Sequence, residues 1–145
     1  MNTLSSTGEN LIKSFEMLVF SAYKDQRGRW TIAWGHTGPD VIEGLTCTPE
    51  QAEEWFREDT ANAVRGCNES LTTNVTQNQF DALASFTYNV GVGAEEHSAM
   101  IWLLNRRDFT GAAAEFPKWD HVNGLPNAGL LRRRLAEQKL FLKAG

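Results

Sequence analysis

A strong helix start at residues 48–51 (TPEQ) divides this chain of 145 residues into a strand-forming segment and a helical segment. Thr48 suits the N-cap, Pro49 suits the first helical position, and Gln51 completes a capping box. Apolar residues at helical spacing continue this helix as far as residues 67–71. Its opposite face is polar, which is expected of a partly exposed helix that bridges two lobes.

The segment before the bridging helix combines one helical stretch with a small β region. Apolar residues recur at helical spacing over residues 8–20, so we predict an amphipathic helix there. Residues 22–25 and 30–34 predict two short strands around a glycine-containing turn, and residues 41–42 predict a third edge strand. A β region of this size is too short to be stable alone.

The segment after the bridging helix is predicted to be helical. A second capping box at residues 76–79 opens a helix that ends near Gly91 and Gly93. The other predicted helices cover residues 98–105, 110–116 and 127–142. The fold class is therefore α+β, and the length fits a single domain over residues 1–145.

Composition excludes several classes of protein. The formal net charge is −4, which argues against non-specific binding to nucleic acid. No run of eighteen apolar residues is present, so we predict no membrane insertion. The polar start of the chain (MNTLSST) predicts no secretory signal peptide.

The cysteines and histidines do not predict a metal site or a disulfide. A helix over residues 48–67 would hold Cys47 and Cys67 roughly 30 Å apart, whereas a disulfide needs Cα atoms within about 7 Å. We therefore interpret both as small apolar residues, with a reactive or dimer-linking thiol as the alternative. His97 and His121 lack metal-ligand spacing with His36.

Three polar residues near the β region form a candidate catalytic set. On the predicted first helix Glu16 stacks between Ile12 and Phe20, where burial would raise its pKa as a general acid requires. Asp25 lies in a polar turn and should stay ionised, and Thr31 is placed to bind a water molecule. A surface Glu, a turn-forming Asp and a Thr with β propensity are the alternatives.

His36 and Asp59 are interpreted as structural residues. His36 lies in the sequence GHT where the β region ends, and a lone histidine there favours a buried, hydrogen-bonded role over that of a base. Asp59 on the bridging helix is a candidate ion-pair partner.

The motifs taken together resemble phage-type lysozymes, the endolysin muramidases of glycoside hydrolase family 24. The resemblance covers nearly the whole chain, from about residue 8 to residue 141. The residues that carry it are Glu16, AYKD at 22–25, Gly28, TIAWGHT at 31–37, TPEQA at 48–52, NQFDAL at 78–83, YNVG at 88–91, and GLLRRR at 129–134 ahead of Glu137.

This resemblance implies a lysozyme-like fold and the roles of three catalytic residues. A small antiparallel β lobe (about residues 14–47) would be joined by the long helix (48–71) to a helical lobe (72–145 with the N-terminal helix). Glu16 would protonate the glycosidic oxygen between N-acetylmuramic acid and N-acetylglucosamine. Asp25 would act as base or electrostatic partner for the attacking water, and Thr31 would position that water. Inversion would require the two carboxyl groups to be roughly 6.5–9.5 Å apart.

The resemblance also implies residues that bind substrate and support the acid. Gly35, Tyr88 and Asn89 would contact the glycan in the cleft between the lobes. His36, Asp59, Arg132 and Arg133 would support the site, and one arginine of residues 132–134 would anchor Glu16 by an ion pair. That ion pair opposes the effect of burial on the pKa of Glu16, and the sequence leaves open which effect is larger.

The chain departs from the family pattern at four points. Met17 and Ala33 stand where the family usually has glycine. Residues 94–97 (AEEH) lack the expected aromatic residue and would place two acidic side chains in a loop near the cleft. The net acidic charge is unlike that of many family members.

The sequence therefore predicts a cofactor-free muramidase that hydrolyses the β-1,4 glycan of peptidoglycan. A lytic transglycosylase acting on the same bond, and a weakly active peptidoglycan-binding module, are the alternatives. The family resemblance implies a monomer that accumulates in the host cytoplasm. It would depend on a holin, a membrane-permeabilising partner, for release to the cell wall.

Overall fold

The computed structural model describes all residues, Met1–Gly145. Seven α-helices, one short 3-10 helix and two small sheets make up the fold. In chain order the first elements are α1 (Ser6–Phe15), β1 (Leu18–Lys24), β2 (Trp30–Trp34), β3 (His36–Thr37) and α2 (Pro49–Ser70). The remaining elements are α3 (Gln77–Val90), α4 (Val92–Glu96), α5 (Ala99–Asn105), α6 (Phe109–Glu115), the 3-10 helix Phe116–Lys118, β4 (His121–Val122), β5 (Leu125–Pro126) and α7 (Ala128–Leu142). The predicted α+β class is confirmed.

The first sheet is antiparallel, with β2 in the centre. Leu18 pairs with Trp34 and Lys24 pairs with Trp30, so β1 and β2 form a hairpin around the turn that carries Asp25. The chain then reverses within three residues, and β3 pairs back on Thr31 and Ile32. Positive φ angles of 59° at Ala33 and 78° at Gly35 make this tight reversal possible.

The bridging helix α2 confirms the predicted start and extent. The Thr48 hydroxyl accepts a hydrogen bond from the backbone N–H of Gln51 at 3.2 Å, and Pro49 occupies the first turn. The helix contributes to both hydrophobic cores. Ala52 packs with Ile32 and Val41 under the sheet, whereas Cys67 belongs to the core of the helical part.

The core of the helical part surrounds α3. Phe80, Leu83 and Phe86 on this helix are fully buried. The ring of Phe86 meets those of Phe116 and Trp119 edge to face, with centroids 5.8 and 5.2 Å apart. Burial of each such side chain stabilises the fold by about 1.5–3 kcal/mol. Phe141 of α7 belongs to the same core, which therefore holds α7 against α3.

Two sequence predictions in the β region are wrong. The first helix ends at Phe15 rather than continuing to Phe20, because the segment from Leu18 pairs with β2 as a strand. Glu16 is therefore not stacked between Ile12 and Phe20 on a helix but follows the helix end. Residues 41–42 form no strand, since His36–Thr37 already occupies the edge of β2.

Two further elements were missed or misplaced. Residues 92–96 form the short helix α4 instead of a loop at the cleft, and Glu95 is fully buried rather than facing the cleft. The hairpin of β4 and β5 was not predicted, because strands of two residues leave no periodic signal.

Both cysteines are free. Burial raises the pKa of the Cys67 thiol to about 12, and its sulfur lies 3.2 Å from the Thr87 hydroxyl oxygen. None of the helices has the length and the apolar character that crossing a membrane requires. Nowhere do three His, Cys, Asp or Glu side chains come together as potential metal ligands.

Candidate active site

A cleft with a volume of about 500 Å³ lies between the β1–β2 hairpin and α7. The end of α1 and the turn after β1 form one wall, with Glu16 and Asp25. The other wall is formed by Asn89 of α3, Asn127 and the first turns of α7. Asn127 Nδ2 donates a hydrogen bond to Gln26 Oε1 at 2.6 Å, so the two walls touch beside Asp25.

Glu16 is positioned by the end of α1. Its backbone N–H closes the helix on the carbonyl of Ile12 at 3.1 Å, and its extended backbone turns the chain into β1. The carboxylate is 17% exposed and accepts a hydrogen bond from Arg133 Nη1 at 2.8 Å. Burial raises the pKa of Glu16, and this effect is larger than the opposing effect of the Arg133 guanidinium. The site therefore favours the protonated form of this carboxyl group more than water does.

Asp25 is held in the opposite state. Its Oδ1 accepts hydrogen bonds from the backbone N–H groups of Arg27 and Arg29, both at 2.9 Å. Its Oδ2 pairs with the Arg29 guanidinium at 3.0 Å. Burial raises the pKa of Asp25, but the two N–H groups and Arg29 outweigh this effect and hold that pKa below its ordinary value. Asp25 is therefore an ionised carboxylate.

Tyr23 was missed by the sequence analysis. It lines the cleft together with Glu16 and Asp25. Burial raises the pKa of Tyr23, and the charges of the two carboxyl groups add to the effect. Tyr23 therefore stays a neutral hydroxyl near both. The only sequence signal for it is its place in the AYKD motif.

Gly35 separates the cleft from a second cavity of about 170 Å³. Its α-carbon lies against the Glu16 carboxylate, which itself lines the larger cleft. Tyr88 also lines the second cavity, and its hydroxyl donates a hydrogen bond to the carbonyl of Trp34 at 2.5 Å. Gly35 and Tyr88 thus face this cavity, whereas Asn89 faces the larger cleft.

Thr31 and Met17 differ in burial and in their position relative to the larger cleft. Thr31 is buried in β2 and donates its hydroxyl proton to the carbonyl of Arg29 at 2.9 Å. It does not line the larger cleft, so the structure leaves its role as a prediction. Met17 does line the cleft, and its side chain is 64% exposed.

Behind the cleft lies a buried network of charged side chains on α7. Arg133 and Arg134 both lie within ion-pair distance of Glu137, with Nε atoms 3.2 and 2.9 Å from its carboxylate. Of the three arginines proposed to anchor Glu16, Arg133 makes the contact. Arg134 instead donates to Asn89 Oδ1 at 2.7 Å, and Arg132 lines the cleft.

His36 and Asp59 form an ion pair between the sheet and the bridging helix. His36 Nδ1 lies 2.8 Å from Asp59 Oδ2, and the imidazole ring stacks on Trp55 at 4.7 Å. The hydrogen bond to Asp59 raises the pKa of His36, and partial burial opposes this. The pair joins β3 to α2 at the edge of the second cavity, which Asp59 lines.

Comparison with known proteins places this chain in a family. A family model described as phage lysozyme matches residues 13–137, which include Glu16, Asp25 and the network on α7. The chain belongs to the phage lysozyme family. Its predicted resemblance to that family is confirmed.

The sequence similarity of this phage lysozyme family member to its relatives extends over nearly its whole length. It is 47% identical to an endolysin of Bacillus phage PZA over 95% of the chain and 54% of that protein. It thus spans about half the length of the first curated relatives it matches. It is 42% identical to an endolysin of Acyrthosiphon pisum secondary endosymbiont phage 1 over 97% of this chain and 99% of that protein.

A solved structure supports the same assignment. The muramidase domain of SpmX from Asticaccaulis excentricus has a TM-score of 0.88 and 38% identity to this chain. The match covers 99% of this chain and all of that domain. The predicted lysozyme-like fold is thus confirmed.

Proposed function

We propose that this chain hydrolyses the β-1,4 bond between N-acetylmuramic acid and N-acetylglucosamine in bacterial peptidoglycan. The observation that carries the proposal is the contrast between two carboxyl groups in one cleft. Burial favours the protonated form of Glu16, and hydrogen bonds favour the ionised form of Asp25. Most glycoside hydrolases use such a pair. The names of the relatives, endolysin and muramidase, support peptidoglycan as the substrate.

Glu16 is the general acid of this reaction. Its proton moves to the glycosidic oxygen while the bond from that oxygen to the anomeric carbon breaks, so the leaving sugar departs as a neutral alcohol. Arg133 stabilises the carboxylate that remains, because its Nη1 already donates to Glu16 Oε2. The acid regains its proton from solvent before the next cycle.

Asp25 is the general base. It accepts a proton from a water molecule whose oxygen attacks the anomeric carbon from the face opposite the leaving group. The backbone N–H groups of Arg27 and Arg29 orient the carboxylate by their hydrogen bonds to its Oδ1. Thr31 remains our candidate for orienting the water, and Gly35, Tyr88 and Asn89 remain our candidates for contacting the glycan.

The chemistry of the products tests this proposal. Turbidity of a permeabilised cell-wall suspension is followed for the wild type and for Glu16→Gln, and the released sugars are identified by mass spectrometry. Clearing by the wild type alone, with ordinary reducing ends, is the expected result. Anhydro sugars would assign a lytic transglycosylase. Binding to the walls without clearing would assign a peptidoglycan-binding module.

The anomeric form of the first product tests the proposed inversion. Proton NMR of the new reducing end, recorded before mutarotation, should show the α-anomer, since water replaces a β-linked sugar from the opposite face. A β-anomer would instead indicate a covalent intermediate on Asp25 and retention of configuration.

We further propose that the protein is a monomer that accumulates in the host cytoplasm and reaches the wall after a holin opens the membrane. The names of its phage endolysin relatives support this role in lysis. Expression in a bacterial host should leave the cells intact until the membrane is permeabilised, and lysis should then follow. Lysis without permeabilisation would contradict the dependence on a partner.

A further inference from the structure

Glu137 lies behind the cleft and contacts two buried arginines, Arg133 and Arg134. It is fully buried on α7. Its Oε2 accepts hydrogen bonds from the Ser85 hydroxyl at 2.6 Å and from Arg133 Nε at 3.2 Å. Its Oε1 lies 2.9 Å from Arg134 Nε. One carboxylate therefore accepts a hydrogen bond from Arg133 and forms an ion pair with Arg134.

The far ends of these guanidinium groups reach two different residues of the cleft. Arg133 Nη1 donates to Glu16, and its Nη2 donates to the carbonyl of Ser85 at 3.1 Å. Arg134 Nη2 donates to the side-chain oxygen of Asn89. Both arginines are almost completely buried, so neither has solvent to compensate its charge.

We propose that Glu137 is a positioning residue that holds Arg133 on the acid Glu16 and Arg134 on the cleft amide of Asn89, and that its charge keeps Glu16 able to hold a proton. This inference rests on the proposed role of Glu16 as the general acid. It assigns Glu137 no contact with the substrate.

The charge balance of the network explains the effect on Glu16. With Glu16 ionised, two arginines and two carboxylates carry no net charge; with Glu16 protonated, one positive charge remains. Loss of the Glu137 charge would add a positive charge to both states. The ionised state of Glu16 would then be more strongly favoured, because a buried excess of positive charge attracts the carboxylate.

Other charged and titratable groups also act on Glu16. They come from each element that packs around it: Arg29 from the β1–β2 hairpin, Tyr23 from β1, Tyr88 from α3, and the two arginines from α7. The two tyrosines stay neutral, because burial raises the pKa of both. Arg29 is already paired with Asp25. Glu137 is therefore the one negative charge in direct contact with Arg133 apart from Glu16 itself.

The decisive variant is Glu137→Gln, which preserves size and removes the charge. We expect the pKa of Glu16, measured by carbon-13 NMR of the labelled carboxyl groups, to fall. We expect the alkaline limb of the kcat/KM profile for wall hydrolysis to move to lower pH with it. On that limb the rate at a fixed pH falls about tenfold when the pKa of the acid is lower by one. Glu137→Asp restores the charge and should move both readouts back towards the wild type.

Glu95→Gln is the matched control. Glu95 is also fully buried in the helical part and also accepts a hydrogen bond from a serine, Ser70, at 2.6 Å, but it lies outside the cleft. A purely structural role for Glu137 predicts that both variants change stability and that neither moves the pKa of Glu16. Our proposal predicts that only Glu137→Gln moves it.

A measurement on the wild type covers the case in which Glu137→Gln does not fold. The Nε–H proton of Arg133 donates to Glu137, so its NMR signal should be protected from exchange and should shift at the titration midpoint of Glu16. An exchange-averaged Arg133 signal, or an unchanged or raised Glu16 pKa in folded Glu137→Gln, would overturn the proposal. The NMR readouts decide this point even if the protein hydrolyses no glycan, so the two proposals fail separately.

Discussion

Gly35 places its α-carbon against the carboxylate of Glu16, so that a side chain at position 35 would occupy the same space as the acid. A Cβ there would lie 3.0 Å from Cδ of Glu16 and would overlap Oε1. The glycine also has a φ of +78°, which L side chains rarely adopt. The position of the acid thus depends on a residue that has no side chain.

Gly35→Ala should reduce hydrolysis as well as stability. The methyl group must displace the Glu16 carboxylate, and a displacement of about 1 Å can lower the rate about a hundredfold. Backbone strain at positive φ should cost about 1–3 kcal/mol in the free energy of unfolding. Gly44→Ala is the control, since Gly44 has a φ of +85° and open space around it. Equal losses of activity in the two variants would contradict this account.

Ala33 is strained in the same reversal. Its φ is +59°, and its side chain is fully buried in the small core under the sheet. We expect Ala33→Gly to increase the free energy of unfolding by about 0.5–1 kcal/mol, because relief of the strain exceeds the loss of one buried methyl group. Ala33→Val should decrease it by at least about 2 kcal/mol. Chemical denaturation of the three proteins checks this, and a stabilising Val would contradict it.

Some features of this fold could be predicted from the sequence and others could not. The sequence marked Ala33 and Met17 as departures where glycine is usual in the family. Only the backbone angles explain why position 33 favours glycine, whereas Met17 is largely exposed at the cleft. The long capped helices were predicted closely, because their caps and apolar spacing are local signals. The end of α1 was not predicted correctly, because pairing between β1 and β2 determines where that helix ends.

The His36–Asp59 pair should make stability depend on pH. The pKa of His36 is raised in the folded state, so its contribution is fully present below about pH 6.5 and is lost as pH rises through the folded pKa. Asp59→Asn should therefore cost about 1.5–3 kcal/mol at pH 5 and less at pH 9. Urea denaturation across this range measures the difference. A loss that grows with pH would contradict the sign.

Glu95 should make the stability of the protein depend on pH, and the substitution Glu95→Gln should remove this dependence. Burial raises the pKa of Glu95, the Ser70 hydroxyl opposes this, and Oε1 has no hydrogen-bond partner. A raised folded pKa means that stability falls as pH rises from the unfolded pKa through the folded one. Glu95→Gln should therefore stabilise the protein by about 1–2 kcal/mol at pH 8 and hardly at all at pH 4. The exposed Glu54→Gln is the control, and an equal gain there would contradict the argument.

The candidate site was only partly predictable. Glu16 and Asp25 were predicted as site residues from the spacing of the motifs, and both line the same cleft in the structure. The buried network on α7 was missed as a network, although RRR followed by Glu137 has the three- and four-residue spacing of one helix face. Its contacts with Glu16 and Asn89 join residues 117 and 45 positions apart, and no local pattern encodes such contacts.

The most direct test of the proposed function is the release of reducing ends from purified peptidoglycan by the wild type, Glu16→Gln and Glu95→Gln at equal concentration. Glu16→Gln keeps the shape of the acid and removes its transferable proton, whereas Glu95→Gln makes the same change at a buried site outside the cleft. We expect equal rates for the wild type and Glu95→Gln, and a rate lower by about 10²–10⁴ for Glu16→Gln. Folded Glu16→Gln with the wild-type rate would contradict the role of Glu16 as the general acid.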